Sequence, residues 1–380
     1  MKRLIVIIGI VLLGILIYAS FVPLSYNRNL QNEQELDAPD NLNTQSNNES
    51  QSDQTAEAPL VSIYTSNLEI PWGLAFLPDN SLLVTERTGS VLKVMPNGQS
   101  DLVGTINESY QIGEGGLLGI ALHPEFEQNN YVYLYYTFAA EGNTTYNRVE
   151  RYTYSDTAGL SKDKIIVDQI PGSQFHNGGR IKFGPDNHLY ITTGDAQEPS
   201  LSQTLSSLAG KILRVTSEGE PVDSNPFGDE VYSYGHRNPQ GLAWDNDTLW
   251  EVEHGSTNFD EVNVITAGNN YGWPNFRGND KGVNIEPPVI HSNTGTWAPG
   301  AIAYLNGKLY FTGLRGSSLY VLDKETLILK SHFVNEYGRL RDIVVGPDDN
   351  LYITTSNRDG RGTPAIDDDK ILRVNPRLLP

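Results

Sequence analysis

The chain has 380 residues, with 27 Lys and Arg against 46 Asp and Glu, a formal net charge of −19, and no cysteine. That acidity argues against a nucleic-acid partner, which needs a basic footprint. The missing thiols exclude thiolate zinc, iron–sulfur clusters, covalently attached c-type haem and disulfides, and leave the redox compartment open.

Behind Lys2 and Arg3, residues 4–22 form an uncharged, mostly aliphatic run. As a helix it reaches roughly 28 Å, enough to cross the hydrocarbon core. Ala19-Ser20-Phe21 is a poor cleavage signal. Residues 1–26 therefore read as an uncleaved signal anchor in preference to a cleaved signal peptide. Positive-inside logic then puts the remainder outside the cytoplasm, anchored to the membrane. Residues 27–59 are rich in Asn, Gln, Ser, Asp and Glu and have too few apolar side chains for a core, so they read as a disordered polar linker.

From residue 60 to 380 one hairpin recurs. GLAFLPDNSLLVTE, GIALHPEFEQNNYVYLYYT, RIKFGPDNHLYITTGD, GLAWDNDTLWEVEHG, AIAYLNGKLYFTGLRG and DIVVGPDDNLYITTSN align on Leu74, Ile120, Ile181, Leu242, Ile302 and Ile343. A further strand follows each copy: SVLKV, RVERY, KILRV, EVNVI, SLYVL and a second KILRV. Period-2 alternation without helical periodicity gives six units of three or four strands, an all-β six-bladed propeller. A sandwich need not repeat one hairpin six times, and a β-helix has a shorter, stricter period. Either the fragment before Ile70 or the strand 371–374 completes a shared blade and closes the ring.

The third hairpin carries the chemistry. Strands at 180–183 and 189–193 flank the turn Gly184-Pro185-Asp186-Asn187, and antiparallel counting places His176 across from Asp195 or Ala196. A carboxylate facing a histidine fixes its tautomer, which is how a general base is built. By position in the repeat, Glu114, His176, Arg237, Trp297, Arg339 and Arg341 ring one mouth, together with Glu86, Asp195, Gly255, Ser256 and Arg315. Four arginines converging there in so acidic a chain point to a polyanionic ligand. Backbone carbonyls at Gly255 and Ser256 beside Asp260 and Glu261 make an oxygen-rich setting suited to Ca²⁺.

FHNGGRIKFGPDNHLYITTGD, GEGGLLGIALHPEF, YSYGHRNPQGLAWD, DEVNVITAGNNYGWP and GRLRDIVVGPDDNLYITT resemble the PQQ-dependent glucose/sorbosone (aldose sugar) dehydrogenase family. The likeness implies PQQ and Ca²⁺ on the mouth, and oxidation of an aldose at C1 to the lactone with hydride transfer to PQQ. It assigns His176 as base, Asp195 as its orienting group and Arg237 as the residue polarising the quinone, with Asn238 beside it. Arg315, Arg339 and Arg341 would take the PQQ carboxylates, and Gly255 and Ser256 the Ca²⁺. Glu114 stands where glucose dehydrogenases have Gln, at the sugar edge with Trp297. His254-Gly255-Ser256 also departs from the more usual Gly-Pro pair. An electron acceptor, a membrane quinone or a redox protein, completes the cycle. Two other readings remain. A Ca²⁺-dependent lactonase would need a carboxylate-rich metal site and no arginine cluster. A non-catalytic glycan- or protein-binding propeller would need no His–Asp pair facing arginines.

Overall fold

Around the Gly184–Asn187 turn, Ile181 lies opposite Ile191 and Phe183 opposite Leu189, as turn counting requires. The same hairpin geometry recurs through the computed structural model, which describes residues 59–380. Six four-stranded antiparallel sheets make an all-β six-bladed propeller. The membrane segment and the polar linker expected in residues 1–58 lie outside the described residues. Among the described residues, no helix is long and apolar enough to cross a membrane.

Blade 1 opens with Pro71–Phe76, blade 2 with Leu117–Leu122 and blade 3 with Ile181–Phe183. Blades 4, 5 and 6 open with Pro239–Asp245, Pro299–Leu305 and Leu340–Val345. These are the innermost strands, and they bear the six aligned residues Leu74, Ile120, Ile181, Leu242, Ile302 and Ile343, all buried. The six expected third strands fall on the third position of their blades. Both ends of the described residues take part in closure. Ile371–Val374 is the third strand of blade 6, and Val61–Thr65 pairs with it as the outermost strand, Val61 opposite Val374. A ring closed in this way leaves no inner edge unpaired.

Period-2 alternation explains why most strands are apolar on both faces: each blade is packed between two others. On Tyr131–Ala139 of blade 2, Tyr133 and Tyr135 pack toward Ile181 and Leu189 of blade 3. Their neighbours Val132, Leu134 and Tyr136 pack toward Leu83 and Val91 of blade 1. On blade 6, Leu351 and Ile353 face blade 5, while Tyr352 faces Leu74 and Leu82 of blade 1.

The channel is bridged below the mouth. Arg180 on blade 3 donates to the carbonyls of Gln240 and Gly300, pairs with Asp342 of blade 6 at 2.9 Å, and lies 4.5 Å from the Trp72 ring centre. Asp342 in turn accepts the Leu74 N–H. Removing one partner of so buried a pair costs about 3–5 kcal/mol. It ties blades 1, 3, 4, 5 and 6 together beneath the site.

Candidate active site

His176 sits in the loop that leads from blade 2 into the innermost strand of blade 3, at a left-handed φ of 61°. That loop is clamped at several points. Asn177 accepts from the Ser173 N–H and Asn147 Nδ2, and the Tyr135 hydroxyl donates to the Asn177 carbonyl. Gly178, at φ 63°, approaches the Thr192 carbonyl so closely that a Cβ there would lie 2.5 Å from it. The HNGG sequence is therefore a backbone requirement for presenting His176.

His176 Nδ1 lies 2.7 Å from Asp195 Oδ1, and Arg237 Nη2 lies 3.0 Å from His176 Nε2. A guanidinium only donates, so Nε2 accepts and Nδ1 carries the proton toward Asp195. That is the tautomer a general base requires at Nε2. Asp195 is held from other sides too. The Gln197 N–H donates to Oδ1 at 2.9 Å, and Trp273 Nε1 donates to Oδ2 at 2.8 Å. Trp273 also supports Arg237, whose guanidinium lies 5.4 Å from the indole ring centre. The Arg237 and Asn238 backbone is fixed from behind by Glu253 Oε2, which accepts the Arg237 N–H at 2.7 Å. Asn238 Oδ1 accepts the Gly178 N–H, linking blade 4 to the His176 loop.

Glu114 lies across the mouth. Its Oε2 accepts the His176 N–H at 3.2 Å, and its Oε1 pairs with Arg361 at 2.6 Å. Burial pushes its pKa up, but His254, Arg361 and the His176 N–H outweigh this and hold it at about 2. His254 itself is driven down to about 4, chiefly by burial, and is neutral at pH 7.

The arginines occupy different depths. Arg315 is exposed on the rim. Arg339 pairs with Asp359 at 2.8 Å and donates to the Leu314 carbonyl. Arg341 is 4 % exposed, donates to Gln240 Oε1 at 2.7 Å, and lies 5.5 Å from the Trp72 ring centre. Burial, joined by Arg339 and Arg87, pulls its pKa down to about 9. An anion beside it would reverse that.

Trp297 packs its ring on Phe311 and Tyr320, against the seam between blades 4 and 5, and a second indole, Trp273, stands beside the His176–Arg237 contact. The acidic pair expected at the cation is placed differently. Asp260 and Glu261 are neighbours and do not share one ligand sphere. Asp260 accepts from the N–H groups of Gly255, Trp297 and Ala298 and from the Thr296 hydroxyl, so its bonds organise the loop. Glu261 turns into the blade, toward Asn263, Glu253 and the Gly278 N–H. The two carbonyls of Gly255 and Ser256 receive no hydrogen bond among the described residues. Trp273, Arg361, Arg87 and Gln240 were missed. The signals for them were the YGWP turn, the RDGRG loop, the basic residue after TE and the NPQG segment after Arg237.

Four buried side-chain nitrogens around this mouth find no acceptor: Arg87 Nε, Arg237 Nε, Arg341 Nε and Asn238 Nδ2. Buried donors are normally satisfied, so a cluster of orphaned ones fits an anionic ligand with several acceptor oxygens. A mouth that also fixes a histidine in its proton-accepting tautomer is that of a propeller enzyme rather than a binding scaffold.

The glucose/sorbosone dehydrogenase family model matches residues 68–372, and the chain belongs to that family of oxidoreductases. It is 31% identical over 354 residues to the aldose sugar dehydrogenase YliI of Escherichia coli, covering 83% of this chain and 93% of the relative. It is 36% identical over 252 residues to quinoprotein glucose dehydrogenase B of Acinetobacter calcoaceticus, covering 57% of this chain and 52% of that one. The PQQ-bound aldose sugar dehydrogenase of Streptomyces coelicolor superposes with a TM-score of 0.79 at 40% identity, covering 83% of this chain and 97% of the other.

Proposed function

We propose that the protein oxidises aldose sugars at C1 to the lactone, with PQQ as resident oxidant and Ca²⁺ beside it. The observation that carries this reading is the His176 imidazole, fixed by Asp195 with Nε2 directed at the arginine-lined mouth. Arg237, Arg339, Arg341 and Arg315 would hold the carboxylates and quinone edge, with Asn238 beside them. The Gly255 and Ser256 carbonyls would reach the cation, and Asp260 positions them. PQQ supplies the two-electron acceptor that no side chain can.

The chain's own part is acid–base and electrostatic. The C1 hydroxyl replaces Arg237 as the donor to His176 Nε2 and gives up its proton there as the C1–H bond breaks. Asp195 stabilises the imidazolium so formed. Arg237, released from Nε2, turns to the anionic ligand, where a fixed cation in a water-poor site is effective. Glu114, ionised and tied to the His176 backbone, accepts sugar hydroxyls at the rim. The arginine cluster disfavours the lactonase reading, because a Ca²⁺ lactonase has no use for it.

Export and anchoring through residues 4–22, and delivery of electrons to a membrane quinone or redox protein, belong to the same proposal. Their support is the charge asymmetry of the N-terminus. Adding PQQ and Ca²⁺ to the purified protein should give dye reduction with aldoses. His176→Ala should still bind PQQ but lose about 10²–10⁴-fold in kcat. Near-normal single-turnover oxidation by His176→Ala would refute the role of the base.

A further inference from the structure

Behind the Arg237 turn, the seam between blades 3 and 4 changes character. Its apolar residues, among them Tyr190, Ile212, Leu242 and Leu249, give way to polar ones. Glu251 and Glu253 alternate on Thr248–Glu253, and Asn263 and Glu261 lie opposite them on the adjoining strand. His236 enters from blade 3. Glu251, Asn263 and His236 are 0% exposed and Glu253 is 3% exposed.

We propose that His236, Glu251 and Glu253, with Asn263, form a buried divalent-cation site that braces the turn carrying Arg237. One nitrogen or oxygen from each of the three titratable residues lies within 4.8 Å of the others, a span one ion can bridge. Glu251 Oε1, an atom of this cluster, is buried without a partner, and so is Asn263 Oδ1 on the residue beside it. Both are acceptor atoms, so what they lack is a donor or a cation.

Charge gives the same answer. Glu251, Glu253 and Glu261 share this interior, and among the described residues no Lys or Arg side chain pairs with them. Their partners are an amide, an imidazole and backbone N–H groups: Asn263 Nδ2 on Glu251 at 3.0 Å, His236 Nδ1 facing Glu253 at 3.2 Å, the Arg237 N–H on Glu253 and the Gly278 N–H on Glu261. Buried charge is normally paired or metal-bound. An imidazole with carboxylates and no thiolate suits Zn²⁺ or Mn²⁺ better than Ca²⁺. Turning the Asn263 amide over would bring its free oxygen to the ion. The Ser233 hydroxyl, 2.9 Å from His236 Nε2, orients the ring from behind.

The carbonyls of Gly255 and Ser256 offer no imidazole, so the two sites are separable by mutation. The full chain, without PQQ or Ca²⁺, is refolded with Zn²⁺ or with Mn²⁺, desalted and analysed for metal. Wild type should retain about one ion per chain and melt higher for it. Glu251→Gln and His236→Gln should retain background metal and show no such shift. Glu251→Gln keeps the side-chain shape, so it decides the matter alone if His236→Gln does not fold. Wild type at background with both ions, or Glu251→Gln binding as much as wild type, would overturn the site.

Discussion

Replacing Asp195 by Asn tests the site at its centre, because the carboxylate accepts from three donors in a fixed arrangement. Oδ1 takes His176 Nδ1–H and the Gln197 N–H, and Oδ2 takes Trp273 Nε1–H. The amide group of Asn must face one of these sides. If it faces Oδ1's partners, the Gln197 N–H loses its acceptor and His176 must move its proton to Nε2, against Arg237 Nη2 at 3.0 Å. If it faces Trp273, there is one donor–donor conflict only. The second orientation wins, so the base keeps its tautomer. The conflict at Trp273 costs about 1–3 kcal/mol of stability, and the lost charge removes about 1.5–3 kcal/mol of imidazolium stabilisation. The latter corresponds to a fall in kcat of about 10- to 150-fold, smaller than for His176→Ala. Stopped-flow oxidation of an aldose by the PQQ-loaded variant, with a parallel thermal melt, reads both quantities. The further change Trp273→Phe removes the conflicting donor. It should restore the melting temperature while leaving kcat low. Asp195→Asn with kcat within about threefold of wild type, or a double variant that regains kcat together with stability, would refute the reasoning.

Glu114 is held at about 2 against an ordinary 4.5, so its stabilising contribution is complete above 4.5 and is lost as pH falls from there toward 2. Melts at pH 5 and pH 2.5 should show a smaller acid loss for Glu114→Gln than for wild type; equal losses would count against the Arg361 pairing. Arg339→Ala leaves Asp359, whose side chain is 1% exposed, uncompensated on the mouth. It should weaken PQQ binding more than tenfold in titration, and more than Arg315→Ala on the exposed rim. Asp260→Ala strips the acceptor from the N–H groups of Gly255, Trp297 and Ala298, and calorimetry should show a loss of several kcal/mol, about 1–3 for each unpaired group. A loss below about 1 kcal/mol would mean that the loop finds other acceptors.

The blades were legible because each strand reports its own burial. Tyr133, Leu134 and Tyr135 alternate between two neighbouring blades, and the same alternation marks Leu351, Tyr352 and Ile353. The His176–Asp195 pair was legible because one hairpin sets it, with regular register from Ile181 to Phe183. Elsewhere at the mouth counting places a residue only to within a position or two, for a physical reason. Innermost strands carry a register shift as they reach it, at Pro71/Gly73, Leu117/Ile120, Pro239/Gly241, Pro299/Ile302 and Leu340/Ile343. Such irregularities re-aim side chains. Arg341 accordingly turns down the channel to Gln240 while Arg339 stays above it.

The rest was hidden because the site is made between blades. The Asp195 N–H donates to the Arg237 carbonyl, joining blade 3 to blade 4, and Arg361 of the blade 6 loop reaches Glu114 ahead of blade 2. The loop that carries Arg361 is itself fastened by ring closure. Just beyond the closing strand, the Leu68 N–H donates to the Asp369 carbonyl, and the Asp369 carboxylate takes the N–H groups of Asn357 and Arg358. Asn357 then accepts the Arg339 N–H. Closing the ring and placing Arg339 and Arg361 at the mouth are thus one set of hydrogen bonds. A residue's role here depends on a partner hundreds of positions away, as Arg361 stands 247 from Glu114, and no local pattern carries that information.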